Sequence, residues 1–211
     1  MTNISKTLDP NHIREVLIIN KIKLDKSILN NFYWLNEPQE YYFDNALVIK
    51  TDPEKDFWQR THYGFRKDDG HALLTNINKD FSFTAKFKFD YQHKYDQCGI
   101  FLRLDSENWI RVSTEYINKN ISKLGSVVTN LVFSDWATRD ISSDINTMWY
   151  RINKDGKDFL IESLVDGKVW TKIRITHLIQ NLDEVKIGVY ACSPKESSFK
   201  CKVEQIMIEN N

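Results

Sequence analysis

The chain has 211 residues, enough for one substantial core, and since all-β domains of roughly 200–250 residues occur as single units, length alone requires no second domain. Lys plus Arg and Asp plus Glu number 29 each, so a formal charge of zero provides no general field for phosphate backbones or anionic lipid. Neither nucleic acid nor a membrane is therefore an expected partner, and no run approaches the length of a membrane span.

The N-terminus, Met1-Thr2-Asn3-Ile4-Ser5-Lys6, lacks a basic region followed by an apolar stretch, so the cytoplasm is the expected compartment. On that reading the glycosylation-like triplets at Asn3 and Asn120 are chance matches. Asp9-Pro10 suits a helix start, with Ile13, Val16 and Leu17 at helical spacing, and Lys21-Ile22-Lys23-Leu24 alternates as a strand does. Residues 1–30 read as a short addition packed on a main domain of residues 31–211.

Period two then takes over, most clearly in Phe81-Ser82-Phe83-Thr84-Ala85-Lys86-Phe87-Lys88-Phe89, where every Phe falls on one side of a strand. Further strands are predicted at Gly99 to Leu104, Trp109 to Tyr116, Val127 to Phe133, Trp149 to Asn153, Phe159 to Leu164, Val169 to Ile175, Val185 to Cys192 and Phe199 to Ile208. Asp155-Gly156 and Asp166-Gly167 supply the positive φ of tight hairpins. Many short strands with almost no helix between them exclude a parallel sheet built from crossover helices, and leave a sandwich or barrel. Cys98, Cys192 and Cys201 have no zinc-like spacing and read as buried thiols.

In Trp109-Ile110-Arg111-Val112-Ser113-Thr114-Glu115-Tyr116, alternation sets Trp109, Arg111, Ser113 and Glu115 on one face. On a hollow, covered face those groups suit a polyhydroxylated ligand, which needs a ring to stack on and groups that bind hydroxyls; on an outer face they make a solvated salt bridge. The segment from Asp56 through Trp58 and His62 to His71 gathers histidines and aspartates, though at no metal-specific spacing, and no metal or other cofactor is expected. Tyr95-Asp96-Gln97 enters one strand and Ser134-Asp135-Trp136 leaves another, positions that suit either a ligand site or turn capping. A glycosidase needs two carboxylates, roughly 5–5.5 Å apart for retention. No strand presents such a pair: Glu115 shares its face with Arg111, which would hold it ionised, and a second acid would have to come from elsewhere, Asp96 or Asp135.

Taken in order, Trp34-Leu35-Asn36-Glu37-Pro38, Asp56-Phe57-Trp58, Thr61-His62-Tyr63-Gly64, Gly70-His71, Tyr95-Asp96-Gln97-Cys98-Gly99, Asn108-Trp109-Ile110, Ser126-Val127-Val128-Thr129, Ser134-Asp135-Trp136 and Cys192-Ser193-Pro194 resemble the domain-of-unknown-function 1349 family, also labelled regulation-of-enolase-protein-like. Arg111 stands where that pattern leads one to expect Lys, and Cys98 where it leads one to expect a small residue. The resemblance implies an all-β, two-sheet antiparallel jelly-roll sandwich of the concanavalin A-like lectin and glucanase kind. The glucanase signature on one strand is absent, so no catalytic residue is carried over. The expected function is binding of a small carbohydrate or glycan on a concave sheet through Trp58, His71, Tyr95, Asp96, Gln97, Trp109, Arg111, Glu115, Asp135 and Trp136. The alternatives are a glycoside hydrolase using Glu115 with a second carboxylate, and a cytoplasmic protein-interaction or regulatory domain with an exposed apolar patch.

Overall fold

A computed structural model describes residues 28–165 and 167–210. The expected helix at Asp9-Pro10, the strand at residues 21–24, most of the N-terminal addition and Asp166 of the second turn lie outside the described residues. After a 3-10 turn at Ile28–Asn31, the strands in chain order are β1 (Tyr33–Leu35), β2 (Glu40–Phe43), β3 (Leu47–Lys50), β4 (Phe57–Gln59), β5 (Arg66–Asp68), β6 (His71–Ile77), β7 (Phe81–Asp90) and β8 (Gln97–Asp105). They continue with β9 (Asn108–Tyr116), β10 (Ile121–Asn130), β11 (Phe133–Ser142), β12 (Thr147–Asp155), β13 (Asp158–Leu164), β14 (Thr171–His177), β15 (Val185–Cys192) and β16 (Lys200–Asn210).

Two seven-stranded antiparallel sheets carry the fold, a front sheet in the order β1-β6-β15-β8-β9-β10-β11 and a back sheet in the order β14-β13-β12-β7-β16-β3-β2. Together they form the jelly-roll sandwich. The phenylalanines of β7 are all buried, and they meet Ile100 and Leu102 of β8, Ile110 and Val112 of β9 and Ile187 and Val189 of β15 in one inter-sheet core. Alternation therefore sends the odd-numbered residues of β9 out of the front sheet, away from the back sheet.

The β12–β13 hairpin turns on Gly156, whose φ is 56°, and Asp155 pairs with Asp158 across a two-residue loop. One hairpin differs from the sequence reading. Val127 to Phe133 is not one strand: β10 stops at Asn130, Leu131 and Val132 take φ of 48° and 72°, and Ser134-Asp135-Trp136 lies inside a long returning strand, β11. A turn made of Leu and Val carries none of the Gly, Asn or Asp that usually mark positive φ.

The outward face of the front sheet does not stay open. Phe57 of the β4–β5 hairpin stacks on Phe101 at 4.4 Å between ring centroids and packs on Trp109 at 6.4 Å and Tyr190 at 6.2 Å. These rings join Ala72, Leu74, Val127 and Cys192 in a second, smaller core. Two arginines of the front sheet fasten the hairpin: Arg103 donates to both oxygens of Asp68 at 2.5 and 2.7 Å, and Arg111 Nη1 donates to Asp56 Oδ1 at 3.1 Å. All three cysteines are free and buried.

Candidate binding site

Beside the hairpin, where the front sheet is left uncovered, a pocket of about 380 Å³ opens. Its polar floor comes from Gln97, Arg111 and Glu115 together with Asp56, and its aromatic walls are Trp58, Tyr63 and Phe65 from the hairpin, Trp136 from β11 and Tyr95. Glu54, Lys67, Pro194 and Lys195 complete the lining. Trp58 Nε1 donates to the Thr61 carbonyl at 3.0 Å, which fixes the indole with Tyr63 at 5.4 Å and Trp136 at 6.5 Å from its ring. Trp136 is 37% exposed and offers a face to a ligand.

Of the residues singled out in the sequence, Trp58, Tyr95, Gln97, Arg111, Glu115 and Trp136 converge here. Four do not. Trp109 emerges on the expected face but is fully buried beneath Phe57, so it supports the pocket and cannot stack on a ligand. His71 is spent on backbone: its Nδ1 lies 2.7 Å from the Asn36 carbonyl oxygen and its Nε2 accepts from Asp52 N at 3.0 Å. Asp96 is buried in a turn, accepting from the backbone N–H groups of Gln92 and His93 at 3.0 and 2.8 Å and from Ser193 Oγ at 2.8 Å. Asp135, next to Trp136 in β11, faces the other way and bonds Arg174 of β14 at 2.9 Å. Asp96 and Asp135 are thus removed as acid partners of Glu115, and Asp56 stands in the pocket instead.

The expected state of Glu115 is also corrected. Burial pushes its carboxyl up to about 8, outweighing the opposing pull of Arg111, while Asp56 adds to the rise. Arg111 gives its hydrogen bond to Asp56, and Glu115 Oε2 receives one from Gln97 Nε2 at 3.3 Å. Asp56 is likewise raised by burial, against the pull of Arg111. Among the described residues no three His, Cys, Asp or Glu side chains converge as a metal set would, and no helix is long and apolar enough to cross a membrane.

A stability signature follows. Below the ordinary value of 4.5 for its carboxyl, Glu115 is protonated in both folded and unfolded chains; between 4.5 and about 8 only the unfolded chain ionises. Its contribution to stability is therefore full at acid pH and is lost as pH rises to about 8, by on the order of a few kcal/mol. Glu115→Gln is expected to remove that part of the slope in chemical denaturation at stepped pH. Parallel wild-type and variant curves would contradict it.

Residues 34–211 match the model of the family described as "Protein of unknown function (DUF1349)". The chain belongs to this family. Regulation of enolase protein 1 of Saccharomyces cerevisiae is 31% identical over 168 residues, 79% of this chain and 83% of the relative. A crystal structure of a functionally unknown protein from Saccharomyces cerevisiae superposes with a TM-score of 0.80 at 27% identity, over 87% of this chain and 98% of that one. Two more distant structures share the sandwich alone. One is a GH43 protein of Bacillus licheniformis, with TM-score 0.64 and 11% identity over 86% of this chain and 37% of that one. The other is an alginate lyase of Klebsiella pneumoniae, with TM-score 0.57 and 9% identity over 81% and 84%. In this DUF1349 chain the family-like motif Asp56-Phe57-Trp58 supplies the ion pair, the anchor and a wall of the pocket.

Proposed function

We propose that the pocket on the outward face of the front sheet binds a short carbohydrate. The observation that carries this reading is the pairing of aromatic walls, Trp58, Tyr63, Phe65, Tyr95 and Trp136, with a floor of buried hydrogen-bonding groups, Gln97, Arg111 and Glu115. Sugar rings present apolar C–H faces to aromatic plates and hydroxyls to fixed polar groups, and the volume lies within the range of small-ligand sites. The distant GH43 and alginate lyase neighbours, named for proteins that act on glycans, are compatible with it.

Cleavage is a second reading, favoured by one observation: Glu115 keeps a proton near neutral pH while Asp56, from a separate element, lines the same pocket. In that case Glu115 would protonate the leaving glycosidic oxygen and Asp56 would take a proton from the attacking water. The test is a titration of the intact protein with neutral and acidic mono- and disaccharides, followed by tryptophan fluorescence and by release of new reducing ends. Trp136→Ala is expected to weaken binding about two- to tenfold, the effect of losing one stacking face worth roughly 0.5–1.5 kcal/mol. Reducing ends that appear with wild type and not with Glu115→Gln would select the cleavage reading. Sugar binding indifferent to Trp136→Ala, or no sugar binding at all, would sink both.

A further inference from the structure

The hydrogen-bonding state of the pocket floor narrows the ligand group that it fits. Gln97 is oriented by three contacts: its Nε2 donates to the Tyr95 carbonyl at 3.4 Å and to Glu115 Oε2 at 3.3 Å, and its Oε1 accepts from Tyr190 Oη at 3.1 Å. Since the Tyr95 carbonyl only accepts, the amide nitrogen must be on the Glu115 side. Glu115 Oε2 is then occupied as an acceptor, so in the acid form, which burial favours up to a pH of about 8, Oε1 is the position left for the donor. Oε1 is buried and has no protein partner. Arg111 Nε, on a side chain only 4% exposed, has none either, its Nη1 being given to Asp56. Two side chains that line the site thus each keep one buried polar atom without a hydrogen-bond partner, a state that costs free energy until a partner supplies one.

We propose that the pocket takes an acidic sugar, a uronate, with its carboxylate docked against Arg111 and Glu115. This deepens the carbohydrate reading and rests on it. A sugar hydroxyl both donates and accepts, whereas a carboxylate offers two acceptor-only oxygens and a charge, which matches two donors, one of them cationic. The charges around the site agree: with Glu115 in its acid form, Arg111, Lys67 and Lys195 in the lining face Glu54 and Asp56, three cations against two carboxylates. Lys94 and Lys123 add positive potential at Glu115, while Asp69 stands beside Lys67 at 3.4 Å. Tyr190 and Cys192, packed near Arg111, are held neutral by burial and bring no competing charge.

The proton on Glu115 gives the dock a pH signature. Ionisation above about 8 would remove the O–H donor and set one carboxylate against another, whereas a neutral sugar would meet no such repulsion. The experiment is calorimetric titration of the intact protein with glucuronate and galacturonate beside glucose and galactose, at pH 6, 7, 8 and 9, repeated with Glu115→Gln. Uronates are expected to bind at least tenfold tighter than their neutral counterparts at pH 6 to 7, that advantage shrinking about tenfold by pH 9 and becoming flat with pH in Glu115→Gln. Neutral sugars binding as well as uronates at pH 6 to 7 would overturn this inference and leave the carbohydrate reading standing; no binding by any of the four would overturn both. A uronate preference with the same pH profile in wild type and Glu115→Gln would place the carboxylate away from Glu115 and also overturn the inference.

Discussion

Phe57→Ala is expected to lower the unfolding free energy by about 3–5 kcal/mol and to abolish ligand binding in the same variant. Phe57 is fully buried, with Phe101, Trp109 and Tyr190 packed around its ring. Truncation opens a cavity between the β4–β5 hairpin and the front sheet, into which the surrounding rings of Phe101, Trp109 and Tyr190 relax only partly. Because the hairpin carries Trp58, Tyr63 and Phe65, loosening it removes three walls of the pocket at once. Urea denaturation together with sugar titration reads both effects. A loss below about 1 kcal/mol, or binding that survives, would mean that the hairpin is held from elsewhere.

The second large effect is expected at Arg111→Met. The substitution keeps much of the apolar stem but leaves Asp56 without its cation in a buried site, and breaking such a pair from one side costs about 3–5 kcal/mol. Part of that loss is recoverable by protonation, because the Asp56 carboxyl is already raised by burial and would rise further without Arg111. The destabilisation should therefore be larger at pH 8 than at pH 5. The double variant Asp56→Asn with Arg111→Met should recover much of the loss, because it removes the stranded charge. Equal destabilisation at both pH values, or a double variant that is strictly the sum of the two singles, would contradict this coupling.

Those two residues also mark how far the amino-acid sequence could be read. The alternating phenylalanines of β7, the parity of β9 and the turn at Gly156 were legible because each depends on residues close together in the chain. The hairpin at Leu131 and Val132 was not, since its turn has no turn residues, and with it went the direction of Asp135. Trp109 looked like a ligand plate because nothing nearby in sequence says that Phe57 covers it. Glu115 looked ionised because Arg111 is its neighbour on the strand, yet the guanidinium bonds Asp56, which sits on another element. Phe65, Lys67 and Lys195 enter the pocket only through tertiary placement, while Tyr63 and Pro194 stand in motifs that carry the family resemblance without any sign of a place in the pocket beyond the run of aromatics from Phe57 to Phe65.

All of this turns on one location, the open end of the front sheet beside Trp58 and Trp136. The most direct measurement is an amide and indole NMR spectrum of the intact protein titrated with glucuronate and, separately, with a neutral disaccharide. With the sugar that binds, the indole N–H signals of Trp58 and Trp136 and the side-chain amide of Gln97 are expected to shift together. The indoles of Trp149 and Trp170, which meet Lys86 and Arg151 of the back sheet, should stay in place. Shifts confined to Trp149 and Trp170, or to Trp34 beside Tyr41, would put the ligand on a different surface and contradict the assignment.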